Sequence, residues 1–294
     1  MIVRWLVRLM DAQDGWVKPL GTWAHGLLNR LFGWMPGVRD FLDGRWLGHP
    51  LHAVLTDAPI GIVFLAIVLD ILGQPVAADI TLVVGILTIL AAALAGFADY
   101  SDTDGRARDR ATLHATLMLS ATVLYIVSLA LRLGGGTGAA GSARPAAIVV
   151  SVVAFLVLSV GAYVGGDVVY VFGNMVSRHA FRGAGGKWVA MEPAETDDDG
   201  TIPEGRPIKA KLGINSLVLV REGERILALH DTCAHAGGSL SSGKLSDGQI
   251  ECPLHFSRFR MVDGSVVRGP SVYNQPAYEV RAREGGGWEA RRRP

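Results

Sequence analysis

The sequence predicts a membrane protein of two domains, a bundle of four transmembrane helices followed by a small all-β domain. Half of the 294 residues are hydrophobic, and the mean hydropathy is positive, which is high for a soluble protein. Four apolar segments lie before residue 170. From residue 188 the chain changes to short apolar runs separated by Asp-Gly and Glu-Gly turns, the pattern of antiparallel strands. We therefore divide the chain into an amphipathic segment (1–45), a four-helix domain (46–175), a linker (176–187) and a β domain (188–294).

The N-terminal segment predicts two amphipathic helices. Residues 2–10 and 22–35 place Trp, Leu and Phe among Arg, Asn and His, which is typical of helices that lie on a membrane surface. The same pattern also fits helices packed on a soluble core. A signal peptide is not expected, because Arg4 and Arg8 interrupt the apolar run.

The four apolar segments predict membrane spans at 54–73, 77–98, 112–131 and 146–168. A bilayer core of ~30 Å needs about 20 apolar residues per helix, and each segment is close to that length. A soluble bundle would need polar helix faces, which these segments lack. Small residues recur in the second segment, as close helix packing in lipid prefers. No internal repeat is expected.

The basic residues predict the orientation. Four spans place both chain ends on one side of the membrane. That side would carry Arg4, Arg8, Lys18, Arg30, Arg39, Arg45, Arg106, Arg108, Arg110, Arg178, Arg182 and Lys187, whereas the other side has Arg132 and Arg144. The positive-inside rule then puts both termini and the β domain in the cytoplasm, beneath the inner (plasma) membrane. The net charge of +1 gives no reason to expect nucleic acid as a partner. The lipid bilayer is an expected partner.

Both cysteines of the chain lie in the β domain, and each is followed by a histidine. The first group is Cys-Ala-His at 233–235, and the second is Cys-Pro-Leu-His at 252–255. Such a set suits a [2Fe–2S] centre of the Rieske type, in which two thiolates hold one iron and two imidazoles hold the other. A disulfide between the two cysteines and a zinc site with two Cys and two His ligands are the alternatives.

The wider sequence around these groups resembles the Rieske family. The resemblance covers about residues 188–285 and includes IPEGRPIKA, SLVLVREGERILALHDTCAH, ECPLHFSRF and VDGSVVRGP. It implies that the cofactor is a [2Fe–2S] cluster and that its ligands are Cys233, His235, Cys252 and His255.

Three departures from the family pattern bear on the cluster's properties. The residue after the last ligand is usually glycine in the family, and here it is Phe256. The pattern of high-potential Rieske proteins includes two further cysteines, which form a disulfide. It also has a serine and a tyrosine at the positions where this chain has Ser257 and Phe259. With one hydroxyl and no further cysteine, the centre resembles the ferredoxin type.

The expected function is that of a membrane-anchored protein that carries single electrons between a reductase and a partner protein. A complete oxygenase is not expected, because the chain ends 39 residues after His255 with no His-rich segment for a second iron. We therefore interpret the chain as an electron-transfer component of an oxidoreductase. The alternative is a redox-sensing or assembly module whose membrane domain is a plain anchor.

The membrane domain holds a second candidate site. His49 and His52 begin the first span and His114 begins the third, and these spans enter from the same side. Two histidines on neighbouring helices could ligate a haem b. Alternatively, the histidines lie at the interface and pair with Asp57 or Asp99.

Residues 46–175 also resemble an uncharacterised bacterial family of four-helix membrane proteins. The shared features are the His-Pro-Leu-His run at 49–52 and the GGDVVY motif at 165–170. The resemblance implies the fold and no activity. Two roles are open for Asp167, within that motif: a buried ion-pair partner or a helix-end cap.

Overall fold

The computed structural model describes residues 2–134, 144–180, 186–198 and 200–293. It divides the chain into two compact units, Met1–Val38 with Leu51–Asn174, and Arg39–Pro50 with Met175–Pro294. The glycine-rich connection between the third and fourth predicted spans, together with Arg182 in the linker, lies outside the described residues.

The first unit is helical. Its helices, with the short α3 that leads into residues 39–50, are α1 (Ile2–Asp11), α2 (Asp14–Trp34), α3 (Pro36–Leu42), α4 (Leu51–Leu55), α5 (Asp57–Ile71), α6 (Pro75–Ser101), α7 (Gly105–Gly134) and α8 (Arg144–Gly166), and α8 continues as a π-helical turn, Asp167–Val171. Four candidate spans are long and apolar enough to cross a membrane: Leu51–Ile71, Pro75–Ser101, Gly105–Gly134 and Arg144–Val171. The predicted four-helix membrane domain is confirmed.

The helix ends differ from the predicted spans for physical reasons. The first span is interrupted at Thr56, between α4 and α5. Pro59 has no N–H to donate to the carbonyl of Leu55, and its ring would clash with that carbonyl in a continuous helix. The third helix starts at Gly105 rather than 112, since its first two turns are Arg-rich and polar. Hydropathy marks the apolar part of a helix and not its end.

The bundle packs a narrow apolar core and leaves its outer surface apolar as well. Val63, Leu82, Tyr125 and Leu158 are buried between the helices, with alanines filling the close contacts. The outward side chains are also large and apolar, among them Leu87, Leu94, Val123, Leu156 and Val160. A bundle in water would place polar groups there, so this surface suits lipid.

A buried ionic network joins the far ends of the four spans. The side chains of Arg132 and Asp70 are fully buried and lie 2.6 Å apart. Arg132 also donates to Asp79 over 2.9 Å, and Arg144 donates to Asp70 over 2.7 Å. Because each buried charge has an opposite charge within hydrogen-bonding distance, the network offsets the cost of desolvation.

The N-terminal helix α2 packs on α6 and α7. The hydroxyl of Tyr100 donates to the Gly21 carbonyl over 3.2 Å and contacts the Thr112 hydroxyl at 2.7 Å. A Cβ at position 21 would lie 2.7 Å from Thr112 Oγ1, so glycine permits the close approach. Trp5, Trp16, Trp23 and Trp34 are exposed, and the position of these helices on a membrane surface stays a prediction.

The described residues of the second unit form ten strands. They are β1 (Val189–Pro193), β2 (Ile208–Leu212), β3 (Asn215–Glu222), β4 (Arg225–His230), β5 (Lys244–Ser246), β6 (Gln249–Glu251), β7 (Arg258–Arg260), β8 (Val266–Arg268), β9 (Ala277–Ala282) and β10 (Trp288–Arg292). Six form a closed antiparallel barrel in the order β1-β10-β9-β4-β3-β2, and β5-β6-β7-β8 form a separate four-stranded sheet. The predicted small β domain is confirmed.

Residues 39–50 pack with this β unit. Asp40 Oδ1 accepts a hydrogen bond from the Gly269 N–H over 3.1 Å, and the Arg45 guanidinium donates to the Val267 carbonyl. Asp43 is fully buried, and burial raises its pKa to about 7 although Arg39 lies 3.7 Å away. The sequence carries no pattern that predicts this association.

Candidate metal centre

Two loops with the same backbone geometry carry the Cys and His groups. The first follows β4 and the second follows β6. In each loop the Cys carbonyl accepts a hydrogen bond over 3.0 Å from the N–H four residues later, at Gly237 and at Phe256. Each Cys N–H donates over 2.8 Å to the carbonyl five residues later, at Gly238 and at Ser257. The two loops therefore present their side chains alike.

The fourth residue after each cysteine has a left-handed backbone. Gly237 has φ 85° and Phe256 has φ 64°. Glycine adopts this conformation without steric cost, whereas a residue with a Cβ pays for it. This requirement is a physical reason for glycine after the last ligand in the family pattern, and Phe256 departs from it at a cost.

The four candidate ligands form two pairs. Cys233 and Cys252 are buried, and their sulfur atoms are hydrogen-bonded to each other. The rings of His235 and His255 face each other edge to face, with centroids 5.0 Å apart. The structure thus brings together all four residues that the sequence predicts, as one thiol pair and one imidazole pair.

Hydrogen bonds and burial prepare these groups to bind metal. The Cys233 thiol lowers the pKa of Cys252 to about 6, and the backbone N–H groups of Leu254 and His255 add to this effect. Two backbone N–H groups also reach the Cys233 sulfur, although the hydrogen bond with Cys252 and burial raise the pKa of Cys233 above its usual value. Burial lowers the pKa of His235 to about 3, so its imidazole is neutral, as metal coordination requires.

The donor set fits a two-iron cluster. His235 Nδ1 is buried and has no hydrogen-bond partner among the described residues, and a buried polar atom of this kind is normally satisfied by a ligand. Among these same residues, no three His, Cys, Asp or Glu side chains are grouped as one ion would need. Two thiolates for one iron and two imidazoles for the other match the Rieske arrangement.

Comparison with known proteins identifies the β unit. Residues 181–279 match the family model described as the Rieske [2Fe-2S] domain. The ferredoxin CarAc of Metapseudomonas resinovorans is 33% identical over 98 residues, which are 33% of this chain and 88% of the relative. The chain belongs to the Rieske family. This match supports a [2Fe–2S] cluster as the cofactor, rather than a disulfide or a zinc site.

Other relatives of the Rieske domain are also ferredoxins. The anthranilate 1,2-dioxygenase ferredoxin subunit of Burkholderia cepacia is 30% identical over 28% of this chain and 76% of the relative. A solved structure, the ferredoxin of carbazole 1,9a-dioxygenase from Nocardioides aromaticivorans IC177, is 28% identical over 35% of this chain and 98% of that chain, with a TM-score of 0.29. Residues 48–178 match a second family, described as Predicted membrane protein (DUF2231).

Gln275 holds the first ligand loop of the Rieske domain. Its buried side-chain oxygen accepts a hydrogen bond from the Ala234 N–H over 2.9 Å. Its side-chain nitrogen donates to the carbonyls of Thr232 and His230. Sequence reasoning missed this residue, which lies far from the motif and in no recognisable pattern.

The linker also contributes to this loop. The Arg178 N–H donates to the Ala234 carbonyl over 3.1 Å, and His179 Nε2 donates to the Thr232 carbonyl over 2.9 Å. Both residues precede the strands by several residues, and the sequence assigned them to a linker. Both residues therefore help to hold the first ligand loop of the Rieske centre.

Ser257 and Phe259 lie beside the Rieske ligands. The Ser257 hydroxyl is buried and accepts a hydrogen bond from the Ser271 N–H over 3.0 Å, which leaves its own proton for a further acceptor. Phe259 is fully buried in an apolar cluster that includes both cysteines. A donor bond from Ser257 to a cluster sulfide stays a prediction.

The structure brings together two of the three membrane-domain histidines. His52 Nδ1 donates to the Ala92 carbonyl over 2.8 Å, and His114 Nδ1 donates to the Gly161 carbonyl over 2.7 Å. The two rings lie 6.3 Å apart between centroids. His49 is an exposed residue of the other unit, and its proposed part in this site is not supported.

The acidic residues of the membrane domain have separate positions. The Nδ1 atoms of His52 and His114 donate to backbone carbonyls rather than to Asp57 or Asp99. Asp57 begins α5, where its charge suits the positive end of the helix dipole. Asp167 Oδ2 lies 3.7 Å from Arg110 Nε, which favours the ion-pair role.

The surroundings of the two histidines reveal an internal repeat. The sequence LHAVL at Leu51–Leu55 recurs as LHATL at 113–117. In each copy the histidine bonds a carbonyl of the next long helix, four residues before a glycine, Gly96 or Gly165. The expectation of no repeat was wrong; comparing the chain with itself would have found this five-residue match.

The ligand assignment predicts the loss of a spectroscopic signal. Cys233→Ser or His255→Ala should abolish the EPR signal of the reduced Rieske centre, because each change removes a ligand to one iron. His49→Ala, an exposed histidine of the same unit, should leave the signal intact. A full-strength Rieske signal in a Cys233→Ser and His255→Ala double variant would contradict the assignment.

The left-handed conformation of Phe256 predicts a stabilising substitution. Phe256→Gly should be more stable than Phe256→Ala by about 1 kcal/mol, since both lose the ring but only glycine adopts φ 64° without strain. The measurement is the temperature at which the full chain loses its cluster absorbance. Equal temperatures for the two variants would show that the backbone at 256 is not strained.

Proposed function

We propose that this protein is a membrane-anchored electron carrier, in which the Rieske cluster accepts one electron from a reductase protein and delivers it to a partner. The observation that carries the proposal is the paired donor set of Cys233 with Cys252 and His235 with His255, in a ferredoxin-like domain on a chain with four apolar spans. A Rieske centre exchanges one electron at a time, and the relatives named above are ferredoxins.

The surface beside the second ligand loop supports this exchange. Leu254 and Phe256, on either side of His255, are 53% and 57% exposed. Apolar side chains exposed in this way suit transient contact with another protein. The histidine-bound iron would then lie close to the surface that a reductase or an oxygenase-like acceptor approaches.

The proposal extends to location. Both termini and the Rieske domain lie in the cytoplasm at the inner membrane, because twelve of the basic residues near the spans fall on one side and two on the other. A cytoplasmic cluster is accessible to soluble reductases, whereas a periplasmic one would need a different electron donor.

The reduction potential tests the proposed role. Rieske centres span roughly −150 to +300 mV, and hydrogen bonds to sulfur raise the potential. Phe259 offers no hydroxyl and both cysteines are ligands, so we expect a midpoint in the lower half of that range. Phe259→Tyr should raise the midpoint if the added hydroxyl reaches a sulfur, and Ser257→Ala should lower it, as measured by protein-film voltammetry.

Phe256→Tyr is the matched control for this series. It adds the same hydroxyl to an exposed ring three residues before Phe259 and should leave the potential unchanged. A wild-type midpoint near the top of the range would contradict the proposed role and favour oxidation of a quinol.

The orientation predicts the behaviour of two reporter fusions. Green fluorescent protein fused after the last residue should fluoresce, and alkaline phosphatase at that site should be inactive, because the C-terminus lies in the cytoplasm. Insertion of the same reporters between α7 and α8 should give the opposite result. If the two sites exchange their readouts, the Rieske domain is periplasmic.

A further inference from the structure

His52 and His114 are held in one tautomer. A backbone carbonyl can only accept a hydrogen bond, so the Nδ1 atom of each ring carries the proton. Each Nε2 atom then carries a lone pair that can accept a hydrogen bond or bind a metal. A histidine that ligates a metal typically donates its other ring N–H to a carbonyl or carboxylate in this way.

The spacing of the two rings suits one metal between them. A nitrogen ligand lies about 2.0 Å from a transition metal, and the ring centre lies roughly 1.1 Å beyond the nitrogen. Two imidazoles on opposite sides of one iron therefore have centres about 6 Å apart. The observed separation of the His52 and His114 centroids is 6.3 Å.

Two glycines let the helices approach the rings. A Cβ at position 96 would lie 2.9 Å from His52 Cε1, and a Cβ at position 165 would lie 2.8 Å from His114 Nδ1. Side chains at these positions would displace both rings. The arrangement of histidine, carbonyl and glycine thus occurs twice, once for each ring.

The number of protein donors indicates the kind of ligand. A bare divalent ion would need about four donors or more. Within the described part of the chain, no three His, Cys, Asp or Glu side chains form a group that could hold an ion. Two axial imidazoles suffice for an iron that brings its own four equatorial nitrogens, as a porphyrin does.

We infer that His52 and His114 are the two axial ligands of a haem b within the helical bundle. The site gives the membrane domain a one-electron couple of its own, Fe(III)/Fe(II), so the bundle is more than an anchor. The inference rests on residues of the helical unit and not on the Rieske ligands, and each cofactor can be present without the other.

The test uses the full chain, purified in detergent from cells supplied with iron and δ-aminolevulinic acid. The pyridine haemochrome assay counts haem b per chain, and near-infrared magnetic circular dichroism identifies the axial ligands. We compare the wild type with His52→Ala, His114→Ala and the exposed-histidine control His49→Ala. The Rieske EPR signal of each sample reports whether the β unit has folded, and far-UV circular dichroism reports whether the helical bundle has folded.

The expected result is about one haem b per chain, with a bis-imidazole spectrum, in the wild type and in His49→Ala. His52→Ala and His114→Ala should each lower the haem content at least tenfold while the Rieske signal remains. Haem-free wild type, or haem that survives both substitutions, would overturn the inference. A divalent metal that depends on both histidines without haem would overturn it too, and if both variants misfold, the wild-type ligand spectrum decides.

Discussion

The Rieske centre depends on one buried side chain, the amide of Gln275. A loop that wraps a cluster cannot pair its backbone in a sheet, yet buried N–H and C=O groups must find partners. The side-chain amide of Gln275 is the hydrogen-bond partner of three such groups, which belong to Ala234, Thr232 and His230 on both sides of Cys233. Its own N–H donates to the Gly264 carbonyl over 2.7 Å. The first ligand loop is therefore fixed by a residue of the strand connection after β8.

The four candidate ligands of the Rieske centre could be picked out from the sequence because their chemistry is local, and their assignment as ligands stays a prediction. Each loop carries Cys and His within four positions, and few other sites have that spacing. The residues that support the loop could not be predicted, because Gln275 and His179 bond backbone N–H and carbonyl groups, which any sequence offers. Phe256 is intermediate: the departure from glycine was visible, whereas its meaning required the backbone angle.

The membrane domain shows the same division. Hydropathy predicted four spans because transfer to lipid is a summed property of about 20 residues. It could not place the break at Thr56 or the start of α7, which depend on Pro59 and on a polar helical turn. The association of residues 39–50 with the β unit rests on hydrogen bonds to Gly269 and Val267, which no composition reveals.

The LHAVL and LHATL repeat has a consequence for symmetry. Each copy begins a helical hairpin, and the two hairpins follow one another along the chain in the same orientation, as in a parallel repeat. Each hairpin contributes one ring to the histidine pair. A single hairpin holds half of the pair. A shorter chain with one such hairpin would therefore assemble the same site only as a homodimer, with one histidine from each subunit.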